Sequence, residues 1–171
     1  MELEPLSPLV IAGLGYTQFI SRRYEEAIAA CEKSLEIDPG MLLSIYVMAM
    51  CRAQQSRLSE AIALAERAVS MSERAPFYLG LLGNFYARAG ARDVARGLIA
   101  ELEGLAAEKY VPPHCMTYIY AGMDDLDRAF EWQAKAFEDG ASPFNYFSPV
   151  IDNLHRDPRH LAELRRMGLR G

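Results

Sequence analysis

The sequence is short of cysteine: Cys31, Cys51 and Cys115 are all it has. None belongs to a Cys-x-x-Cys pair, and three thiols cannot all pair within one chain. That excludes the disulfide framework of a small secreted domain and makes a reducing, cytoplasmic home the expectation. Twelve glycines and nine prolines in 171 residues are too few for a disordered or linker-like chain. An excess of positive charge is also missing. The net charge of −5 leaves no surplus of lysine and arginine to release counterions from a phosphate backbone, so no nucleic-acid partner is expected. The apolar stretch near the start, Leu9 to Tyr16, is too short to span a bilayer and follows Glu2 and Glu4 where an export signal would carry positive charge. Neither membrane attachment nor secretion is expected. Period-two alternation of the kind that marks strands is absent.

What is present is an apolar fraction of 51% with 24% charged residues, enough to bury the core of one domain spanning residues 1–171. The organisation is a repeat. Ala27, Ala61, Ala95 and Ala129 are separated by a constant interval of 34, and Gly15, Ala49, Gly83 and Thr117 keep the same interval. Larger apolar residues follow that register: Leu14, Met48, Leu82 and Met116, then Ile11, Ile45, Leu79 and Pro113. Within the first unit, Ile11, Leu14, Gly15 and Gln18 have the i, i+3, i+4, i+7 spacing of one helix face. Ala27, Cys31 and Ser34 have the spacing of a second helix. Each unit is therefore a helix pair, with small residues where backbones approach closely. Asp38-Pro39-Gly40 ends one helix, and Gly90 marks the turn inside the third pair.

These residues resemble the tetratricopeptide repeat (TPR) family, whose units of this length keep small residues at the eighth and twentieth positions. Leu14-Gly15, Tyr24-Glu25-Glu26-Ala27-Ile28 and Leu35-Glu36-Ile37-Asp38-Pro39 carry the resemblance in the first unit. Units at 8–41, 42–75, 76–109 and 110–143 account for most of the chain, and 144–171 is a capping segment. The implied fold is all-α, an α-solenoid of four helix-turn-helix repeats closed by a C-terminal helix over Pro158 to Leu169. Arg22, Ser56 and Asp124 depart from the usual turn glycine, and Arg92 from a usually apolar position.

A narrower resemblance runs through Lys109-Tyr110-Val111, Ile119-Tyr120-Ala121-Gly122, Asp127 to Trp132, Asp157-Pro158-Arg159 and Leu164 to Leu169. It is similar to the closing repeat segment of bacterial multidomain signalling proteins, in which such repeats follow a winged-helix, cyclase or kinase domain. Glu2-Leu3-Glu4-Pro5 resembles the tail of a preceding unit, so the expectation is of an array entered midway.

The family resemblance implies a non-enzymatic scaffold that binds a protein or peptide. Its groove positions fall on Tyr16, Phe19, Tyr46, Met50, Phe77, Asn84, Arg88, His114 and Tyr118, an aromatic set suited to an apolar or amphipathic segment. The cationic clamp for a terminal carboxylate is not expected, because Ala12, Tyr16, Val47, Phe77 and Leu81 occupy its positions. Self-association through the N-terminal end is expected from Leu6, Leu9, Val10 and Phe19. At the other end, Phe144-Asn145-Tyr146-Phe147 and Val150-Ile151 are expected to fold back over the last repeat.

No catalytic residues, metal ligands or cofactor-binding residues are assigned. Cys115 beside His114 offers a nucleophile or zinc pair on paper, but apolar-face cysteines act as small hydrophobes and no ligand spacing surrounds them. His155 and His160 are five apart, a spacing that puts them on different faces of a continuous helix, and are not expected to act as ligands. Asp124, Asp125 and Asp127 lack the later glutamate and central glycine of a calcium loop and are read as a solvated helix start. Trp132 is read as core. Arg156, Arg159, Arg165, Arg166 and Arg170 are read as the outer face of the capping helix.

Overall fold

The structure, a computed structural model, describes residues 7–140, 146–166 and 168, and every regular element among them is helical. Eight helices form four pairs: α1 (Pro8–Ile20) with α2 (Tyr24–Ile37), α3 (Leu42–Gln54) with α4 (Leu58–Met71), α5 (Pro76–Arg88) with α6 (Arg92–Ala106), and α7 (His114–Gly122) with α8 (Leu126–Glu138). A 3₁₀ turn (Pro149–Ile151), the single-turn α9 (Asp152–His155) and α10 (Pro158–Arg166) follow. Pro8 opens α1 in the first turn, where a missing N–H costs nothing.

The strongest sign of the repeat lies in the backbone. Arg22, Ser56, Gly90 and Asp124 have φ of 61°, 61°, 86° and 59°, so the second residue after each first helix is left-handed in all four units. At each of these turns the next N–H reaches back to the third-last residue of the first helix: Arg23 to Gln18, Arg57 to Arg52, Ala91 to Tyr86 and Asp125 to Tyr120, all at 2.9–3.0 Å. This double closure, a Schellman motif, satisfies carbonyls that the helix end leaves over and turns the chain sharply into the second helix. Three of the four left-handed residues carry a Cβ and adopt the conformation against their own preference.

Small residues in register sit at close helix contacts. Ala27, Ala61, Ala95 and Ala129 are all fully buried. A Cβ on Gly15 would stand 2.7 Å from Cys31 Sγ and 3.1 Å from the Ala27 carbonyl oxygen, so α1 and α2 cross where only glycine fits.

Two compact units divide the chain, Met1–Tyr78 and Leu79–Gly171. In the first, α2 packs on α1, α3 on both, and α4 on α3, around Phe19, Ile45, Val47, Met50 and Cys51. In the second, α7 packs on α6 and α8 on α7, around Leu81, Phe85, Leu102, Tyr118 and Ile119. Within each unit this helix-on-next-helix packing is that of an α-solenoid.

The capping segment continues the register. Val150 and Ile151 stand 34 residues after Met116 and Thr117, are buried, and belong to the 3₁₀ turn that packs on α7. Tyr146 donates its hydroxyl to the Gln133 carbonyl at 2.9 Å, and Asn153 Nδ2 donates to the Ala121 carbonyl at 2.8 Å. The described residues from Tyr146 to α10 thus fold back on the last repeat, but Phe147, expected to help cover it, is exposed; Phe144 and Asn145 lie outside the described residues. The turn residue of this would-be fifth pair is Pro158, whose ring forbids the left-handed conformation used by the other four. A new helix, α10, starts there instead. It buries His160 and Leu164 and leaves Arg159, Arg165 and Arg166 exposed. Met167, Leu169 and Arg170 fall outside the described residues.

α10 begins at Pro158 as expected, and the break before it corrects the placing of His155 and His160 on different faces. Their rings approach to 4.6 Å between centroids. His155 Nε2 lies 2.7 Å from the Tyr146 carbonyl, which only accepts, so this nitrogen carries a proton. Nδ1 lies 3.0 Å from Asp152 Oδ1. Trp132 is also placed differently from a core residue: it sits half-buried at the edge of the apolar face of α8, with Lys135 Nζ 4.0 Å from its ring centroid.

Candidate functional site

In the first unit the candidate aromatic residues form two ring clusters. Tyr16 and Phe19 lie 6.4 Å apart between centroids, and Phe19 and Tyr24 lie 5.9 Å apart, on α1 and the start of α2. Tyr46 of α3 meets Phe77 at 4.7 Å and Tyr78 edge-on at 5.8 Å, while Phe77 and Tyr78 meet edge-on at 5.4 Å. Edge and tilted geometries place the positive ring rim against a negative ring face. Tyr24 and Tyr78 are additions to the set that spacing assigns. Tyr78 directly follows Phe77, and that adjacency is the available signal.

Burial separates the nine candidates. Phe19, Tyr46, Met50, Asn84 and Tyr118 are buried and present no open surface as they stand. Tyr16, Phe77, Arg88 and His114 are half-buried. Register assigns a residue to a helix face, whereas burial depends on which side chains lie above that face. Ala12, Val47 and Leu81, at carboxylate-clamp positions, are buried apolar residues as well.

In the second unit, Asn84 Nδ2 donates to the Tyr118 carbonyl at 2.8 Å, and the Tyr118 ring meets His114 edge-on at 5.7 Å. Burial pushes His114 down to about 4, so its imidazole is neutral near neutral pH. Burial also draws the Arg88 guanidinium below its ordinary range, against the opposing pull of Asp152. Asp152, on α9, brings the capping segment to the candidate arginine, a neighbour that sequence spacing gives no means of finding.

Cys115 is buried and pushed up to about 12. An active thiol–imidazole pair needs the reverse, a lowered thiol beside a basic imidazole. His114 and Cys115 are shifted away from that condition. Cys31 and Cys51 are likewise buried and pushed up to about 12. Among the described residues no three histidine, cysteine or acidic side chains are grouped to hold a metal ion.

The acidic turn before α8 has structural work. Asp124 is the left-handed residue, Asp125 caps α8 by accepting from the Arg128 N–H at 3.3 Å, and Asp127 accepts from Arg159 Nη1 at 2.7 Å. Arg159 also binds Asp157 at 2.9 Å and lies over the Phe130 ring at 4.4 Å. The hydrogen bonds from Arg159 hold the Asp157 carboxyl down to about 2.

No described helix is long and apolar enough to cross a membrane. Residues 10–41, which take in most of α1 and all of α2, match the family described as tetratricopeptide repeat. No curated protein matches the chain.

Proposed function

Because the chain is a tetratricopeptide repeat protein, and such repeats are generally protein-interaction modules, we propose that it acts without catalysis by holding an apolar or amphipathic protein segment. The observation that carries this reading is the family match across the first helix pair. The half-buried first-helix residues Tyr16 and Phe77 in one unit, and Arg88 and His114 in the other, are the candidate contacts. The buried rings of Phe19, Tyr46 and Tyr118 act through them by fixing their positions. Aromatic groups held in place bind with little loss of side-chain freedom.

A photoreactive phenylalanine analogue at position 16 or 77 tests the proposal. Capture of the same protein from both positions, and not from exposed Glu32, is the expected result. Equal capture from all three positions would overturn the assignment of these contacts.

A second reading is that the chain regulates a winged-helix, cyclase or kinase domain in a longer protein. Its support is that Asp127, Phe130, Asp157 and Arg159, all within the narrower resemblance, meet around one guanidinium. The coding sequence upstream of Met1 tests it: an in-frame domain of one of those kinds supports the reading, and an unrelated gene ending before Met1 sinks it.

A further inference from the structure

Helix α1 leaves open a face that its register equivalents close. Val10, Gly13, Leu14 and Thr17 have the i, i+3, i+4, i+7 spacing of one face. Val10 is 57% exposed and Leu14 52%, Thr17 is exposed, and a Cβ on Gly13 would meet nothing within 4 Å. In α3 the same positions are Ser44, Val47, Met48 and Cys51, of which Ser44, Val47 and Cys51 are completely buried. In α5, Leu81, Leu82 and Phe85 are buried, and in α7 so are Cys115, Met116 and Ile119.

The molecule also shows what covers such a face. In the first unit α2 lies against α3, and its Cys31 thiol meets Ser44 and neighbours Cys51. In the second, Gly80 of α5 comes so close to Cys115 that a Cβ would stand 2.7 Å from its Cα. Gly83 stands in the same relation to Ile119, at 2.6 Å from Cγ1. Both covering helices present small, uncharged residues. The open face of α1 suits such a cover: the whole helix, Pro8–Ile20, carries no charged side chain, and the one hydroxyl on the face is satisfied within it, Thr17 Oγ1 donating to the Gly13 carbonyl at 3.0 Å. Covering it leaves no polar group unpaired.

We propose that the Val10–Gly13–Thr17 face of α1 is a docking site for an amphipathic α-helix of the α2 kind, with small uncharged residues on its contact side and charges on the other. The interface would extend the molecule's own repeat packing by one position. A second copy of α1 fits this geometry less well, because each covered equivalent receives a cysteine or glycine at the point of closest approach, whereas α1 would bring Val10 and Leu14. The inference rests on the protein-binding reading above and gives that partner a surface and a chemistry.

The test uses the full chain and a fluorescent, hydrocarbon-stapled peptide of residues 23–38, followed by anisotropy. Stapling supplies the helicity that so short a peptide lacks in water. Saturable binding is expected, weakened at least tenfold by Val10→Glu and by Thr17→Glu, since each introduces an unpaired charge into a dry contact. Both side chains are exposed, so circular dichroism and melting of the variants should match the parent. Failure of the peptide to bind the parent chain would overturn the proposal, as would binding unchanged in both variants. Binding lost in Phe77→Ala but retained in Val10→Glu would sink the α1 site and leave the protein-binding reading standing. Sedimentation supplies a further check: a dimer of the unliganded chain that Val10→Glu converts to monomer, without peptide binding, would make a second copy the occupant and overturn the proposal.

Discussion

The side-chain amide of Asn84 donates to the backbone carbonyl of Tyr118 at 2.8 Å, across a sequence separation of 34. One hydrogen bond therefore ties a first helix to the next first helix, one repeat later. Asn84 is fully buried, and a Cβ on Gly122 would stand 2.6 Å from its carbonyl oxygen, so the two helices pass closely at this bond. Asn84→Ala should cost about 1–3 kcal/mol, the usual penalty for stranding a buried polar partner. Urea denaturation checks this, and an unchanged midpoint would show the bond to be dispensable.

Glycines in helices should divide by what surrounds them. Gly80→Ala forces a Cβ within 2.7–2.9 Å of the Cys115 backbone and Cβ, and should destabilise the protein by about 1–3 kcal/mol as overpacking does. Gly97 lies in α6, and a Cβ there would meet nothing within 4 Å. Gly97→Ala should stabilise by about 0.5–1 kcal/mol through lost freedom in the unfolded chain. Thermal melts of the two variants should move in opposite directions.

The left-handed turns make a second opposed pair. Ser56→Gly relieves a Cβ from a φ of 61°, while Gly90→Ala imposes one at 86°. The first should raise stability by roughly 0.5–1 kcal/mol and the second lower it by at least as much. Equal shifts of one sign in the denaturation midpoints would contradict a shared turn geometry.

Acid should weaken the fold before the carboxylates titrate. An unfolded imidazole takes up its proton near pH 6.5, but half-buried His114 does so only at about 4. Below about pH 6.5 the unfolded chain therefore binds more protons, and stability falls as the pH drops toward 4, by at most about 1.4 kcal/mol per pH unit for one group. His160, lowered by burial and by His155, adds to the same trend, while Glu163, raised by burial, opposes it. Asp157, held down to about 2, enters only in stronger acid. His114→Phe keeps an aromatic ring beside Tyr118 and should flatten the pH dependence of the denaturation midpoint between 6.5 and 4. A parallel curve for parent and variant would assign the acid sensitivity elsewhere.

The helix pairs are legible in the sequence because close crossings demand small residues, and alanine or glycine at a constant interval is a direct trace of that demand. The turns are less so. Arg22, Ser56 and Asp124 do not advertise a left-handed backbone as Gly90 does, and their common conformation becomes visible only as φ. The candidate surface is the least legible part. Spacing places Phe19, Tyr46 and Tyr118 on the expected helices, but the side chains that close over them come from other segments. Asp152 beside Arg88 illustrates the limit, since a single turn of helix between two prolines has no periodicity to read.

Trp132 is the chain's single tryptophan, and it lies on α8 within Leu79–Gly171 under the Lys135 ammonium. Indole emission is consequently a private channel to that portion of the molecule, whereas far-ultraviolet dichroism sums over every helix. Recording both during one denaturation distinguishes a single cooperative melt from sequential loss of the two portions, with no dye, label or mutation introduced.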